Sequence, residues 1–129
     1  MEADDMATLG CTEAFVAIAT PHLVPLADFY ARLLETPPQV LIPGVYAEFA
    51  IAGLKLGIFQ PRPEKLAEFA CPTPAAISLC LEVADLAVAI AHLTAIGHPP
   101  PGAIVIASHG QEIYAYDPDG NRLIFHQRP

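Results

Sequence analysis

His109, Glu112 and His126, joined by the more distant Glu48, are the side chains of this 129-residue chain that could hold a divalent metal ion, since imidazole and carboxylate are usual donors. The plainer reading puts His109 in a hairpin turn and His126 in a fraying C-terminal strand. Cys80 could act as a nucleophile only beside a base that lowers its pKa; otherwise it is a small buried hydrophobe. His22 and Glu82 could form an acid–base pair, although His22 stands where a helix cap belongs. His92 and His98, on or just after a second helix, read as solvated. Tyr46, Tyr114 and Tyr116 offer faces for stacking a planar ligand, or are half-buried strand aromatics. Glu48, Glu82 and Glu112 would attract a cation if they share one cleft, and are rim residues if they do not.

The elements that must position these residues are clearest near the C-terminus. In Tyr116-Asp117-Pro118-Asp119-Gly120-Asn121-Arg122-Leu123-Ile124-Phe125, Pro118 fits the first central position of a type I turn and Gly120 is free to take positive φ. Alternating, aromatic-rich runs flank it, so the stretch predicts a tight hairpin.

Composition narrows the classes of function. The chain is 53% hydrophobic and 16% charged, which predicts one globular domain over 1–129 with a real core. Its net charge of −8, with only six Lys and Arg, argues against nucleic acid and anionic membrane surfaces. Cys11, Cys71 and Cys80 are odd in number and lack zinc spacing, so they read as reduced thiols of a cytoplasmic protein. The start is acidic where a signal peptide would be basic, and no run is long enough to span a bilayer.

Taken in order, residues 1–12 read as a tail and Glu13–Thr20 as a strand. A helix follows, capped at His22, with Pro25 in its first turn and Leu23, Leu26, Tyr30, Leu33 and Leu34 on one face. Strands are predicted at Gln39–Ile42, Val45–Ala52 and Leu54–Gln60. The linker 61–74 carries one helical turn within Glu64–Phe69. The order then repeats: a strand over Ala75–Val83; a helix capped by Asp85 that buries Leu86, Ala89, Ile90, Leu93 and Ile96 and ends at Gly97; and strands near Ile104–Ala107, Gln111–Asp117 and Asn121–Gln127. Leu23 matches Leu86 at an offset of 63, and Lys55-Leu56 with Gln60 match Arg122-Leu123 with Gln127 at 67. The pattern is an α+β duplication of βαβββ, with units at 13–60 and 75–128 that must pack together.

Strand parity sorts the faces. Ile77, Leu79, Leu81 and Val83 should pack on a helix, leaving Ser78, Cys80 and Glu82 opposite. Leu123 and Phe125 pack inward, leaving Arg122, Ile124 and His126; Glu112, Tyr114 and Tyr116 share a face opposite Ile113 and Ala115.

The string from Gly110 through the Asp-Pro-Asp-Gly-Asn turn into an apolar last strand resembles the end of a glyoxalase/bleomycin-resistance/extradiol-dioxygenase protein, of the vicinal oxygen chelate superfamily. The resemblance covers about 13–128. It implies paired units whose curved sheets form one cleft, and often a homodimer. Metal-using members hold one divalent ion through His and Glu at positions that correspond here to Phe15, Gly57, Ser78 and Ile124. None of these is such a donor, so no metal and no other cofactor is expected; Glu13, two residues before Phe15, is the nearest substitute. The favoured reading is a metal-free binder of a small, partly planar, neutral or cationic organic molecule, held by Glu48, Ser78, Cys80, Glu82, Glu112, Tyr114, Tyr116, Arg122 and His126. Arg122 and His126 could instead meet an anion. The alternatives are a lyase, isomerase or dioxygenase with a displaced metal, and an interaction module with no ligand.

Overall fold

Two helices each bury one stripe against a four-stranded sheet, and the two pairs then pack on each other. The computed structural model describes residue 10, residues 12–70 and residues 77–129. Cys11, Cys71, most of the expected tail and the expected start of the strand at Ala75 lie outside those residues.

The first unit contains β1 (Phe15–Ala19), α1 (Leu23–Leu34), β2 (Val40–Ile42), β3 (Tyr46–Ile51) and β4 (Leu54–Phe59). A short link, Pro63–Lys65 in 3-10 form followed by α2 (Leu66–Phe69), leads to the second unit. That unit contains β5 (Leu79–Glu82), α3 (Leu86–Ala95), β6 (Val105–Ala107), β7 (Gly110–Tyr116) and β8 (Arg122–Gln127). The sheet orders are β1-β4-β3-β2 and β5-β8-β7-β6, with the first pair in each parallel and the rest antiparallel. This is the expected α+β fold of two tandem βαβββ units. The described residues contain no helix long and apolar enough to cross a membrane.

The repeat has a visible physical cause. Gln60 Oε1 accepts the Leu23 N–H, and Gln127 Oε1 accepts the Leu86 N–H, so the residue leaving the last strand of each unit satisfies the first orphan donor of that unit's helix. The sequence offsets of 63 and 67 are therefore the spacings of one cap used twice. Asp85 caps α3 as expected, accepting from Ala87 N and Val88 N. His22 occupies the corresponding place without a side-chain bond, so in the first unit only Gln60 supplies a side-chain acceptor to the helix start. Replacing Gln60 or Gln127 with Ala should lower the unfolding free energy by about 1 kcal/mol each in urea titrations.

The core is continuous across the units. Leu23, Leu26, Phe29, Tyr30 and Leu33 of α1 join Leu56 and Ile58 of β4, Leu86 and Leu93 of α3, and Leu123 and Phe125 of β8. Phe29 lies outside the predicted α1 face but is buried, because α1 also packs toward the second unit: the Phe29 ring meets His98 edge-on at 4.8 Å. His92 Nε2 donates to the last-turn carbonyls of Arg32 and Leu33, at 3.1 Å each. His92 and His98 are thus contacts between units rather than solvated side chains.

One strand prediction runs too far. Ile77 is 81% exposed and β5 begins at Leu79, because β8 starts only at Arg122 and Leu79 pairs with Leu123. Ile77 has no strand to join.

Candidate functional site

The burial pattern fixes the two faces. Ala47, Phe49, Leu56 and Ile58 lie under α1, while Ile113, Ala115, Leu123 and Phe125 lie under α3. Alternation turns Tyr46, Glu48 and Gly57 of the first unit to the opposite face. In the second unit that face carries Cys80, Glu82, Glu112, Tyr114, Tyr116, Arg122, Ile124 and His126, as parity predicted. It is an open wall on which Tyr114 and Tyr116 are both exposed.

The four positions expected of a metal site do not fit an ion. Ala17 pairs with Gly57 and Cys80 with Ile124, which confirms the equivalence of Gly57 and Ile124 across the repeat. Gly57 has no side chain, and one placed there would meet a ring: its Cβ would fall 2.8 Å from the Tyr46 hydroxyl. That ring is held by a 2.8 Å bond from Tyr46 Oη to Glu48 Oε1. Burial first, then the Glu48 contact, pushes the Tyr46 pKa above its ordinary value. Ser78 Oγ accepts the Arg122 Nε–H at 2.7 Å, and Phe15 and Ile124 are hydrocarbon. Glu13, the nearest substitute, is ion-paired with Lys55.

The structure joins some of the predicted residues and separates others. Glu48 accepts from Tyr46 and from Gln39 Nε2, both within the first unit. His126 and His109 meet, with His109 Nδ1 and His126 Nε2 3.0 Å apart. His126 Nδ1 lies 2.7 Å from Glu82 Oε1, and Arg128 N donates to Glu82 Oε2. Since carboxylate oxygen only accepts, Nδ1 of His126 carries the proton; in the neutral ring Nε2 then accepts from His109 Nδ1–H. The His126 bond chiefly holds the Glu82 carboxyl below the ordinary carboxylate range, helped by Arg128. Glu112 is the cross-strand neighbour of His126. Among the described residues, no three His, Cys, Asp or Glu side chains are arranged to hold a metal ion. Cys80 is an exposed thiol rather than a buried hydrophobe, because position 80 alternates with the inward-facing Leu79 and Leu81.

Two cavities bear on the site. The larger, about 460 Å³, lies on the helix side near Leu33, Val83, Val88 and His92, and holds none of the predicted site residues. A second, about 390 Å³, lies between β1 and β5 and includes Ser78 and Arg122. The Arg122 guanidinium carbon is 6.0 Å from the Tyr114 ring centroid.

The sequence reading missed one structural pair. Asp117, buried at the hairpin turn, accepts from the buried Tyr30 hydroxyl at 2.8 Å, and so ties the turn of the second unit to the helix of the first. Burial, then Asp117, pushes the Tyr30 pKa far above its ordinary value, and the phenol stays protonated.

No protein-family model and no curated protein matches the chain. Solved structures do. A glyoxalase/bleomycin resistance protein from Catenulispora acidiphila is 21% identical, with a TM-score of 0.69 over 92% of this chain and 100% of its own. The bleomycin resistance determinant encoded on transposon Tn5 is 21% identical, with a TM-score of 0.68 over 92% and 98%. A lactoylglutathione lyase from Agrobacterium tumefaciens is 16% identical, with a TM-score of 0.68 over 91% and 94%. The chain has the fold of these glyoxalase and bleomycin-resistance proteins.

Proposed function

We propose that the protein is a metal-independent binder of a small organic molecule, held against the wall of Tyr114, Tyr116 and Arg122, and that it works as a homodimer. The observation that carries this reading is the Tyr46 ring lying where a side chain at Gly57 would have to enter, locked there by Glu48. A ring at that place supports stacking and packing rather than coordination. The likeness in fold to the bleomycin resistance determinant encoded on transposon Tn5 is in keeping with this reading. Pairing is supported by outer edge strands that leave Val40, Leu41 and Ile42 on one side, and Val105 and Ile106 on the other, exposed.

The Glu82–His126–His109 hydrogen-bond chain favours a second reading, a lyase, isomerase or dioxygenase with a displaced ion, since a carboxylate behind a histidine is how ligating imidazoles are usually oriented. Metal analysis after dialysis separates the two: the binder should retain no stoichiometric Zn, Ni, Fe or Mn. In a thermal-shift screen of small aromatic compounds, Tyr116→Ala should weaken hits by roughly 1–3 kcal/mol. Unchanged affinity in that variant, or a monomer in sedimentation at micromolar concentration, would count against the proposal.

A further inference from the structure

We propose that His109 and His126 form a two-nitrogen site for a borderline divalent cation of the zinc, nickel or copper kind, joining the β6–β7 turn to β8. The site goes beyond the binding reading and does not depend on it: the ion exchanges freely, and the wall of Tyr114, Tyr116 and Arg122 is not part of it.

Register brings the two rings together. Ser108 and His109 make the turn between β6 and β7, where Ala107 pairs with Gly110. His126, near the end of β8, lies across from Glu112 of β7 and beside Glu82 of β5. His109 Nδ1 and His126 Nε2 come within 3.0 Å, with the ring planes 28° apart. Two nitrogens on one such ion, each at about 2.0–2.1 Å and roughly 90–110° apart, stand about 2.9–3.4 Å from each other, the spacing this pair already has. Room at the His126 nitrogen exists because residue 110 is glycine: a Cβ there would lie 3.0 Å from His126 Nε2.

The protons suit an ion as well. Glu82 Oε1 accepts from His126 Nδ1 at 2.7 Å, so the lone pair of His126 is on Nε2, facing His109. A carboxylate behind the ring is the usual support of a ligating imidazole. When the ion enters, the proton that His109 Nδ1 donates to this lone pair leaves, and the outer Nε2 of the exposed His109 ring takes one from solvent. The neutral ring changes tautomer and the proton count stays the same. One exposed hydrogen bond is lost, a modest loss beside two metal–nitrogen bonds. Glu112 adds negative charge on the other side of His126, while Arg128, whose Nε is 3.9 Å from Glu82 Oε2, offsets part of it. Imidazole donors select zinc, nickel and copper over magnesium and calcium. With two protein donors, water completes the shell and the ion is lost on dialysis, as the metal-independent reading requires.

The test titrates untagged protein with zinc chloride and magnesium chloride by calorimetry and follows histidine nitrogen shifts, on wild type, His109→Ala, Glu82→Gln and His22→Gln. Wild type should take one zinc ion per chain and no magnesium, and zinc should move the His109 proton from Nδ1 to Nε2. His109→Ala, a change in an exposed turn, should remove that binding, and Glu82→Gln should weaken it about tenfold or more. His22→Gln, which alters an exposed histidine elsewhere, should leave it unchanged. If Glu82→Gln fails to fold, the His109 variant and the tautomer change still decide. No saturable zinc binding, binding that persists in His109→Ala, or a His109 tautomer that zinc leaves unchanged overturns the inference. Small-molecule binding is read separately through Tyr116→Ala, so either reading can fail alone.

Discussion

Asp117→Ala should lower the unfolding free energy by about 3–5 kcal/mol, far more than an ordinary turn substitution. The carboxylate accepts four bonds. Oδ1 takes the backbone N–H of Asp119 and of Asn121 at 2.9 Å each, and Oδ2 takes the Tyr30 hydroxyl and Asn121 Nδ2 at 2.8 Å each. Removing it leaves the Tyr30 hydroxyl, which has no solvent exposure, without its acceptor, and frees the turn that sets the register of β7 on β8. Tyr30→Phe removes only one of the four donors and leaves no orphan hydroxyl, so it should cost about 1–2 kcal/mol. Asp117→Asn should fall between the two, because an amide nitrogen would face donors where an oxygen accepted. Urea unfolding of the three variants checks the order. A cost for Asp117→Ala no greater than that for Tyr30→Phe would mean that the turn stands without the buried carboxylate.

Asp117 also shows what a sequence can and cannot reveal. The turn itself is local: Gly120 takes φ 86 and its N–H closes on the Asp117 carbonyl at 2.9 Å, as Pro118-Asp119-Gly120 predicts. The partner that makes Asp117 a tie between units is 87 residues away, and no local pattern points to Tyr30. The duplication was legible because each unit reuses the same glutamine cap, and a repeated glutamine at the offset of the strands is a signal that could have located both caps. Phe29, His92 and His98 were misread for the opposite reason. A helical period describes packing on one's own sheet, and these three meet the other unit.

The candidate site divides in the same way. Parity placed Arg122, Glu112, Tyr114 and Tyr116 on one wall, since alternation along a strand is a property of the backbone. The positions expected of metal donors, Gly57 and Ile124 among them, came from the resemblance and not from alternation. Charge is less legible than parity. Counting Glu48, Glu82 and Glu112 against Arg122 and His126 treats each as available, whereas Glu48 is bonded to Tyr46 on its own strand, Glu82 to His126 on the adjacent one, and Arg122 to Ser78. Which charge a cleft presents depends on those pairings, and they follow from register rather than from composition.

Register also sets the second large effect, expected at Gly110. This glycine opens β7 at φ 131, and an added Cβ would lie 2.2 Å from the Gln127 carbonyl oxygen and 3.0 Å from His126 Nε2. The first of these is backbone on the paired strand, so no rotamer change relieves it; β7 and β8 must part where Gln111 pairs with Gln127. Gly110→Ala should therefore cost about 2–5 kcal/mol, summing backbone strain and overpacking. Gly120→Ala is the control. Its φ of 86 is similarly unfavourable for alanine, but nothing lies within 4 Å of its Cβ, so only the conformational part, about 1–2 kcal/mol, should appear. The difference between the two, read from chemical denaturation, isolates the steric part. Because the displaced strand carries His126, Gly110→Ala should also break the His109–His126 bond, which histidine nitrogen shifts report in solution. Equal costs for the two variants, with the histidine pair intact in both, would show that β7 can move aside at Gly110 without strain.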